Sequence, residues 1–390
     1  MKKLKFLEII EYAKAFRKEL HRNPELTWEE VQTANAIRAV LESHHINYKQ
    51  YASTGTVATL APNAKGDHIA LRGDIDALEI EEKTNLPYRS EKISCMHACG
   101  HDGHTATLIA AAIWLKQHED ELPGPVSLVF QPAEEGGHGA KKMLEEGALD
   151  EVDFIYGWHN WPAIKFGQAV CPDGVVMAGN GTFHIDIKGI GGHSSQPEIS
   201  KDPVLAASAI TMALQQIVSR RVAPQKAAVV SVTSIDARSG LTTIPQTAKI
   251  EGSIRIPDLQ TRDEVAHAIK EIAQNTALAY GVEANVEFRN RYSPTINHEN
   301  AAFNMREKLK EVLGENYKSD IATPIMASED FSYYLEKIPG AFALVGSNDG
   351  KDKHTKPCHS SHYDFNDELI EPVCKVFCKL ANLKSDFLKL

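Results

Sequence analysis

The chain lacks any apolar stretch long enough to span a bilayer. Its start, Met1-Lys2-Lys3-Leu4-Lys5, is basic but runs into a charged amphipathic pattern, not the apolar core of a secretory signal. A cytoplasmic protein with no membrane partner is expected. Positive charge is also short. The sequence has 42 Lys and Arg against 52 Asp and Glu, a formal net charge of -10. That balance argues against nucleic acid or an anionic surface as partner. Cysteine is scarce, with 6 in 390 residues, and without an export signal a disulfide framework is not expected. Cys374 and Cys378, four apart in a helical stretch, read as packed thiols. Internal repeats and low-complexity tracts are missing too. Apolar residues are plentiful at 43%, and the length exceeds one typical domain.

Periodicity predicts helices over about 5–22 and 27–44, with Pro24 breaking the chain between them. A strand at 68–72, a helix at 104–122, a strand at 126–131, a helix at 139–146 and a strand at 154–158 follow. This alternation implies βαβ units and a mixed, mostly parallel sheet with helices on both faces. Near residue 180 the order becomes strand 183–187, helix 203–221, strands 228–235 and 248–256, helix 262–280 and strand 282–288. That is the βαββαβ order of a ferredoxin-like unit. A strand at 341–346 and a helix from 366 to the end complete the pattern. The expected organisation is one α/β domain of residues 1–181 and 293–390, interrupted by an insert at 182–292.

One ten-residue stretch concentrates chemistry: Cys95-Met96-His97-Ala98-Cys99-Gly100-His101-Asp102-Gly103-His104. Thiolate, imidazole and carboxylate together suit a borderline-soft divalent metal. The spacing is not that of common zinc fingers. Open α/β sheets gather ligands beyond the carboxyl ends of their strands. Asp74 and Asp76 end one expected strand, Glu134 and Glu135 follow another, and His159 and Asn160 follow a third. A hydrolytic pair of metals acidifies water and clamps the attacking and departing oxygens. A carboxylate left unligated then moves the proton. Glu134 and Glu135 can divide these tasks, and spacing leaves open which does which.

At these residues the chain resembles the aminoacylase/carboxypeptidase group of di-metal peptidases. Within it, the likeness is to the amidohydrolase branch of hippurate hydrolases, bacterial N-acyl-amino-acid amidohydrolases and plant auxin-conjugate hydrolases. The motifs run in order from Leu20-His21-Arg22-Asn23-Pro24-Glu25-Leu26 through Arg72-Gly73-Asp74-Ile75-Asp76 and Met96–His104 to Gln131-Pro132-Ala133-Glu134-Glu135. Gly191-Gly192-His193-Ser194, Ser328-Glu329-Asp330-Phe331 and His359-Ser360-Ser361-His362-Tyr363-Asp364-Phe365 complete the set.

The resemblance implies two divalent metal ions, manganese or zinc ahead of nickel or cobalt. It implies metal ligands Cys99, His101, Glu135, His159 and His359, with Cys99 able to bridge. Glu134 becomes the general base and acid, and Asp76 a carboxylate that orients a ligand. The insert becomes a lid and dimerisation domain carrying His193, which polarises the scissile carbonyl in its own or a partner subunit's site. Arg255 pairs with a substrate carboxylate. Thr243 stands where Asn is usual, Ser328 where Gly is usual, and Cys358 where an apolar residue is common; these departures leave the metal ligands intact and leave the substrate's identity open, with Thr243 and Ser328 expected beside Arg255 at the substrate. The implied activity is hydrolysis of N-acyl amino acids by a homodimer or higher homo-oligomer. The alternatives are a dipeptidase or carboxypeptidase with the same machinery, and a non-catalytic metal-binding protein on this scaffold.

Overall fold

The computed structural model describes residues 3–383. The chain divides into two compact units. One comprises residues up to Val176, Ile296–Ala322 and the chain from Asp330 on; the other is Met177–Thr295 with Thr323–Glu329.

In the first unit, helices α1 (Phe6–Arg22) and α2 (Val31–Ser43) precede an antiparallel pair, β1 (Tyr48–Tyr51) and β2 (Gly55–Leu60). Then come β3 (Ile69–Asp74), α3 (His101–Gln117), β4 (Val126–Gln131), α4 (Gly139–Glu145), β5 (Phe154–Lys165) and β6 (Ala169–Val170). With a late strand, Gly340–Asn348, they form a sheet ordered β1, β2, β4, β3, β5, Gly340–Asn348, β6 among the described residues. The middle four strands are mutually parallel and the outer pairings antiparallel. β3 and β4 are buried along their whole length, as strands covered on both sides must be.

Three expectations need correction. α2 begins at Val31, four residues after the expected 27. α3 begins at His101, three residues before the expected 104, and is buried on every face from there to Leu115. Its start is set by Gly100, whose φ is +93°. A Cβ there would lie 2.4 Å from Asn160 Oδ1 and 2.6 Å from the Tyr363 hydroxyl, so only glycine fits. Likewise β5 does not stop at Trp158. It continues to Lys165 because Gly340–Asn348 pairs alongside, Leu344 opposite His159 and Val345 opposite Asn160. His159 therefore sits inside a strand, not after one. The last helix runs Ile370–Leu380; the expectation beyond residue 383 lies outside the described residues.

The second unit has the antiparallel strand order Val229–Asp236, Thr247–Ile256, Gly179–Lys188, Glu283–Asn290. With helices Pro203–Leu214 and Leu259–Ala279 in chain order this is the βαββαβ arrangement. Alternate residues Phe183, Ile185 and Ile187 join Ile250, Ile254, Ile210 and Ile269 in one core, so one face of the sheet packs on the helices.

A buried ionic network ties distant parts of the first unit together. The Arg17 guanidinium is 3.0 Å from Asp102 and 2.9 Å from Asp364. His21 Nδ1 meets Asp102 at 2.7 Å, and Lys353 meets Asp364 at 2.6 Å. Burial favours the neutral acids, yet Arg17 outweighs it and holds both carboxyls below their ordinary range. Their contribution to stability is thus present at neutral pH and lost as pH falls through those depressed values. Arg17→Met strands two buried carboxylates and is expected to cost about 3–5 kcal/mol. Denaturant unfolding should show that deficit largest near neutrality and shrinking in acid. A deficit that ignores pH would remove the charge pairing as its cause.

Candidate metal centre

Two neighbouring strand ends build the floor. Asp74 of β3 is in register with Gln131 of β4. Asp76 and the Glu134-Glu135 pair, a few residues beyond, therefore meet. The Asp76 carboxylate accepts from Glu134 N–H at 3.1 Å, Glu135 N–H at 3.0 Å and the Thr27 hydroxyl at 2.8 Å. His101 Nδ1 approaches its Oδ1 at 3.3 Å and its carbonyl at 2.9 Å. Burial opposes the charge on Asp76, but the His101 hydrogen bond, with those from Glu135 and Thr27, keeps it below its ordinary range. A single carboxylate thus fixes both glutamates and one imidazole.

The hydrogen bonds also fix where lone pairs point. His101 Nδ1 faces only acceptors, so it carries the proton and Nε2 is the donor atom. That Nε2 is buried and has no hydrogen-bond partner among the described residues. His159 Nδ1 donates to the Asn160 carbonyl at 2.7 Å, and its Nε2 lies 3.2 Å from Cys99 Sγ. His359 Nε2 lies 3.1 Å from Glu135 Oε1. His359 N–H donates to the Ala98 carbonyl at 2.8 Å.

Ligand-capable atoms lie within 4.8 Å of one another in three overlapping groups: Cys99, His101 and His159; Cys99, Glu135 and His359; His101, Glu134 and Glu135. Cys99 is common to the first two. One thiolate with an imidazole pair on one side, and with a carboxylate and imidazole on the other, is a donor set that fits two divalent cations sharing sulfur. His101 Nε2, buried with no hydrogen-bond partner among the described residues, points the same way.

Without metal these groups hold protons. Burial works against the His101 imidazolium, but Asp74 and Asp76 raise it to about 10. The Cys99 thiol is pushed well up by its hydrogen bond with Cys358 and by burial. Burial and His104 press His159 down, so it is neutral and ready to ligate. A cation must displace the protons on Cys99 and His101, so binding tightens as pH rises.

His104 and Asp102 of the ten-residue stretch are committed elsewhere. His104 spends Nδ1 on Asp74 at 2.6 Å and Nε2 on Asn160 Oδ1 at 2.7 Å. Asp74 itself pairs with Arg72 at 2.7 Å, and Asp102 belongs to the Arg17 network. His97 is buried, and burial lowers it to about 4. Three contributors had no assigned role in the sequence reading. Thr27 anchors Asp76, the Tyr363 hydroxyl accepts from Asn160 Nδ2 at 2.7 Å, and Asp330 N–H donates to Glu134 Oε1 at 3.3 Å. Tyr363 and Asp330 lie in recognisable motifs; Thr27 gave no signal beyond a helix start.

The remaining candidates fall in the second unit as two pairs. His193 lies opposite Thr243 in a short antiparallel ribbon. Its Nδ1 accepts from Ser195 N–H at 3.2 Å, which places the ring proton on exposed Nε2. Arg255 Nη1 donates to Ser328 Oγ at 2.9 Å.

Asp76→Asn should weaken metal affinity by about 10–100-fold, because an amide cannot accept from His101 and both glutamate N–H groups at once. Competition with a chelator measures it. Unaltered affinity would show that His101 needs no such support.

Comparison with known proteins places this geometry. Residues 70–383 match peptidase family M20/M25/M40. An N-acetyl-L-cysteine deacetylase of Bacillus subtilis is 40% identical over 87% of this chain and 81% of its own. A hippurate hydrolase of Campylobacter jejuni is 38% identical over 94% of each. Among solved structures, a dinuclear metal binding peptidase from Bacillus subtilis superposes with a TM-score of 0.83 at 33% identity, covering 97% of this chain and 100% of that one.

Proposed function

The chain belongs to peptidase family M20/M25/M40 and is a hydrolase of amide bonds with a divalent metal site; from that premise we propose that it hydrolyses N-acyl amino acids to a free amino acid and a carboxylate. The observation that carries the reading is the Cys99 sulfur common to two ligand groups, with the Glu134 carboxylate beside them. Cys99, His101, Glu135, His159 and His359 are the proposed ligands. Two divalent cations, manganese or zinc, supply acidified water and a polarised carbonyl when bound. Glu134 takes the proton of the attacking water and returns it to the leaving nitrogen. Its carboxylate is buried and its backbone is pinned by Asp76, so the acceptor is pre-oriented. His193 offers its Nε2–H to the carbonyl oxygen as charge develops. Arg255 receives the substrate carboxylate, held in place by the Ser328 hydroxyl, a contact glycine could not make. Thr243, across the ribbon from His193, is the third residue proposed to bear on substrate choice.

The second unit is the proposed lid and dimerisation domain. Leu205 and Met212 are exposed on its helix Pro203–Leu214, and strand Val229–Asp236 ends its sheet; both support self-association. A cytoplasmic location agrees with cysteines that are all free thiols.

The test is a panel of N-acetyl amino acids, N-benzoyl amino acids and dipeptides, run after reconstitution with manganese, zinc, nickel or cobalt. Acyl amino acids should be turned over with the higher kcat/KM. Preference for dipeptides would transfer the chain to the peptidase reading.

A further inference from the structure

Cys358 has no part in the mechanism above, yet it lies against the metal-binding thiol. The bond from His359 N–H to the Ala98 carbonyl, 2.8 Å long, sets residues 98–99 beside 358–359. Cys99 and Cys358, each next to one end of that bond, are thereby neighbours across the two segments. Asn160 Nδ2 reaches Cys358 Sγ at 3.7 Å, and the adjoining His159 reaches Cys99 Sγ at 3.2 Å. Adjoining residues of one strand, His159 and Asn160, thus touch one sulfur each. Their exposure differs: Cys99 is buried, Cys358 only half-buried. A small oxidant can therefore arrive from the Cys358 side.

We infer that Cys99 and Cys358 are a modification site at which a hydroperoxide converts two thiols into a disulfide, withdrawing Cys99 from metal binding. The Cys358 sulfur attacks one peroxide oxygen, the O–O bond breaks, and a sulfenic acid and one water result. The Cys99 sulfur then attacks the sulfenic sulfur. The S–S bond forms, and the departing hydroxide leaves with the thiol proton as a second water. Two thiols lose two electrons and two protons, and hydrogen peroxide is reduced to two waters. Cations and oxidant compete for the same sulfur, so bound metal slows the oxidation and oxidation excludes metal. This consequence rests on the assignment of Cys99 as ligand. Cys374 and Cys378 provide an internal comparison. They too are neighbours, one helical turn apart, but both are fully buried within one helix, out of reach of solvent.

The experiment treats metal-free and zinc-loaded protein with hydrogen peroxide, alkylates remaining thiols, and maps peptides without reduction. Metal-free protein should yield a peptide pair joining residues 99 and 358, lighter by two hydrogens, with Cys374 and Cys378 still alkylated. Zinc-loaded protein should yield it more slowly. Oxidised protein should fail to take up zinc until dithiothreitol reopens the bond. Cys358→Ser should keep its metal and give no such peptide pair. Alkylation of both Cys99 and Cys358 after oxidation, or full zinc uptake by the cross-linked form, would overturn the inference. Failure of untreated protein to bind any cation would instead strike the functional reading, since the peptide map of metal-free protein does not depend on it.

Discussion

Replacing Glu134 with glutamine is expected to lower kcat by about 10²–10⁴-fold while metal content stays at the level of the unaltered protein. Glutamine has the same length and can still accept the Asp330 N–H that reaches Glu134 Oε1 at 3.3 Å. The main-chain bond from residue 134 to Asp76 is untouched as well. What disappears is a carboxylate able to gain and lose a proton next to the ligand groups. The loss should fall on kcat, since the substituted group binds neither acyl chain nor carboxylate of the substrate. Metal analysis beside steady-state kinetics separates this from a damaged site. Turnover within about tenfold of the original, well short of a general-base loss, would assign the proton transfer elsewhere. Loss of metal with turnover would make Glu134 a ligand.

Cys99→Ala and His359→Ala should differ in kind. Cys99 belongs to both ligand groups, whereas His359 belongs to one. The alanine at 99 removes the shared sulfur, so both cations should be lost and activity with them. The alanine at 359 should release one of the two and leave the partner held by His101 and His159. His359 is also the open side of the cluster, its side chain 52% exposed against 1% for His101, so its loss disturbs packing less. Equilibrium dialysis against zinc, followed by elemental analysis, reads the stoichiometry. Equal metal loss in both variants would mean that the sulfur is not shared.

The sequence showed the chemistry of this site more readily than its geometry. Ligand-capable residue types were visible because Cys99 and His101 crowd one short stretch and Glu134 and Glu135 follow a strand, and α/β sheets collect function beyond strand ends. The βαββαβ order of the second unit was visible because its strands alternate cleanly over one buried face. The division of labour between Glu134 and Glu135 was not, since it depends on which carboxylate faces His359. The start of α3 was hidden because Asn160 and Tyr363, distant in sequence, decide it at Gly100. The length of β5 was hidden because its pairing partner is supplied nearly two hundred residues later. Arg17 read as one more cation on an amphipathic helix, and its carboxylates come from two other segments.

The strand Gly340–Asn348 lies between β5 and β6, which has a consequence for biogenesis. A nascent chain carries β5 long before that partner leaves the ribosome, at roughly 5–20 residues per second. Throughout that interval the hydrogen-bonding edge of β5 stands open, the kind of exposed template that recruits other strands. The nascent polypeptide therefore stays open to aggregation until that strand emerges, and the segment that supplies His359 follows directly behind the strand that ends that exposure.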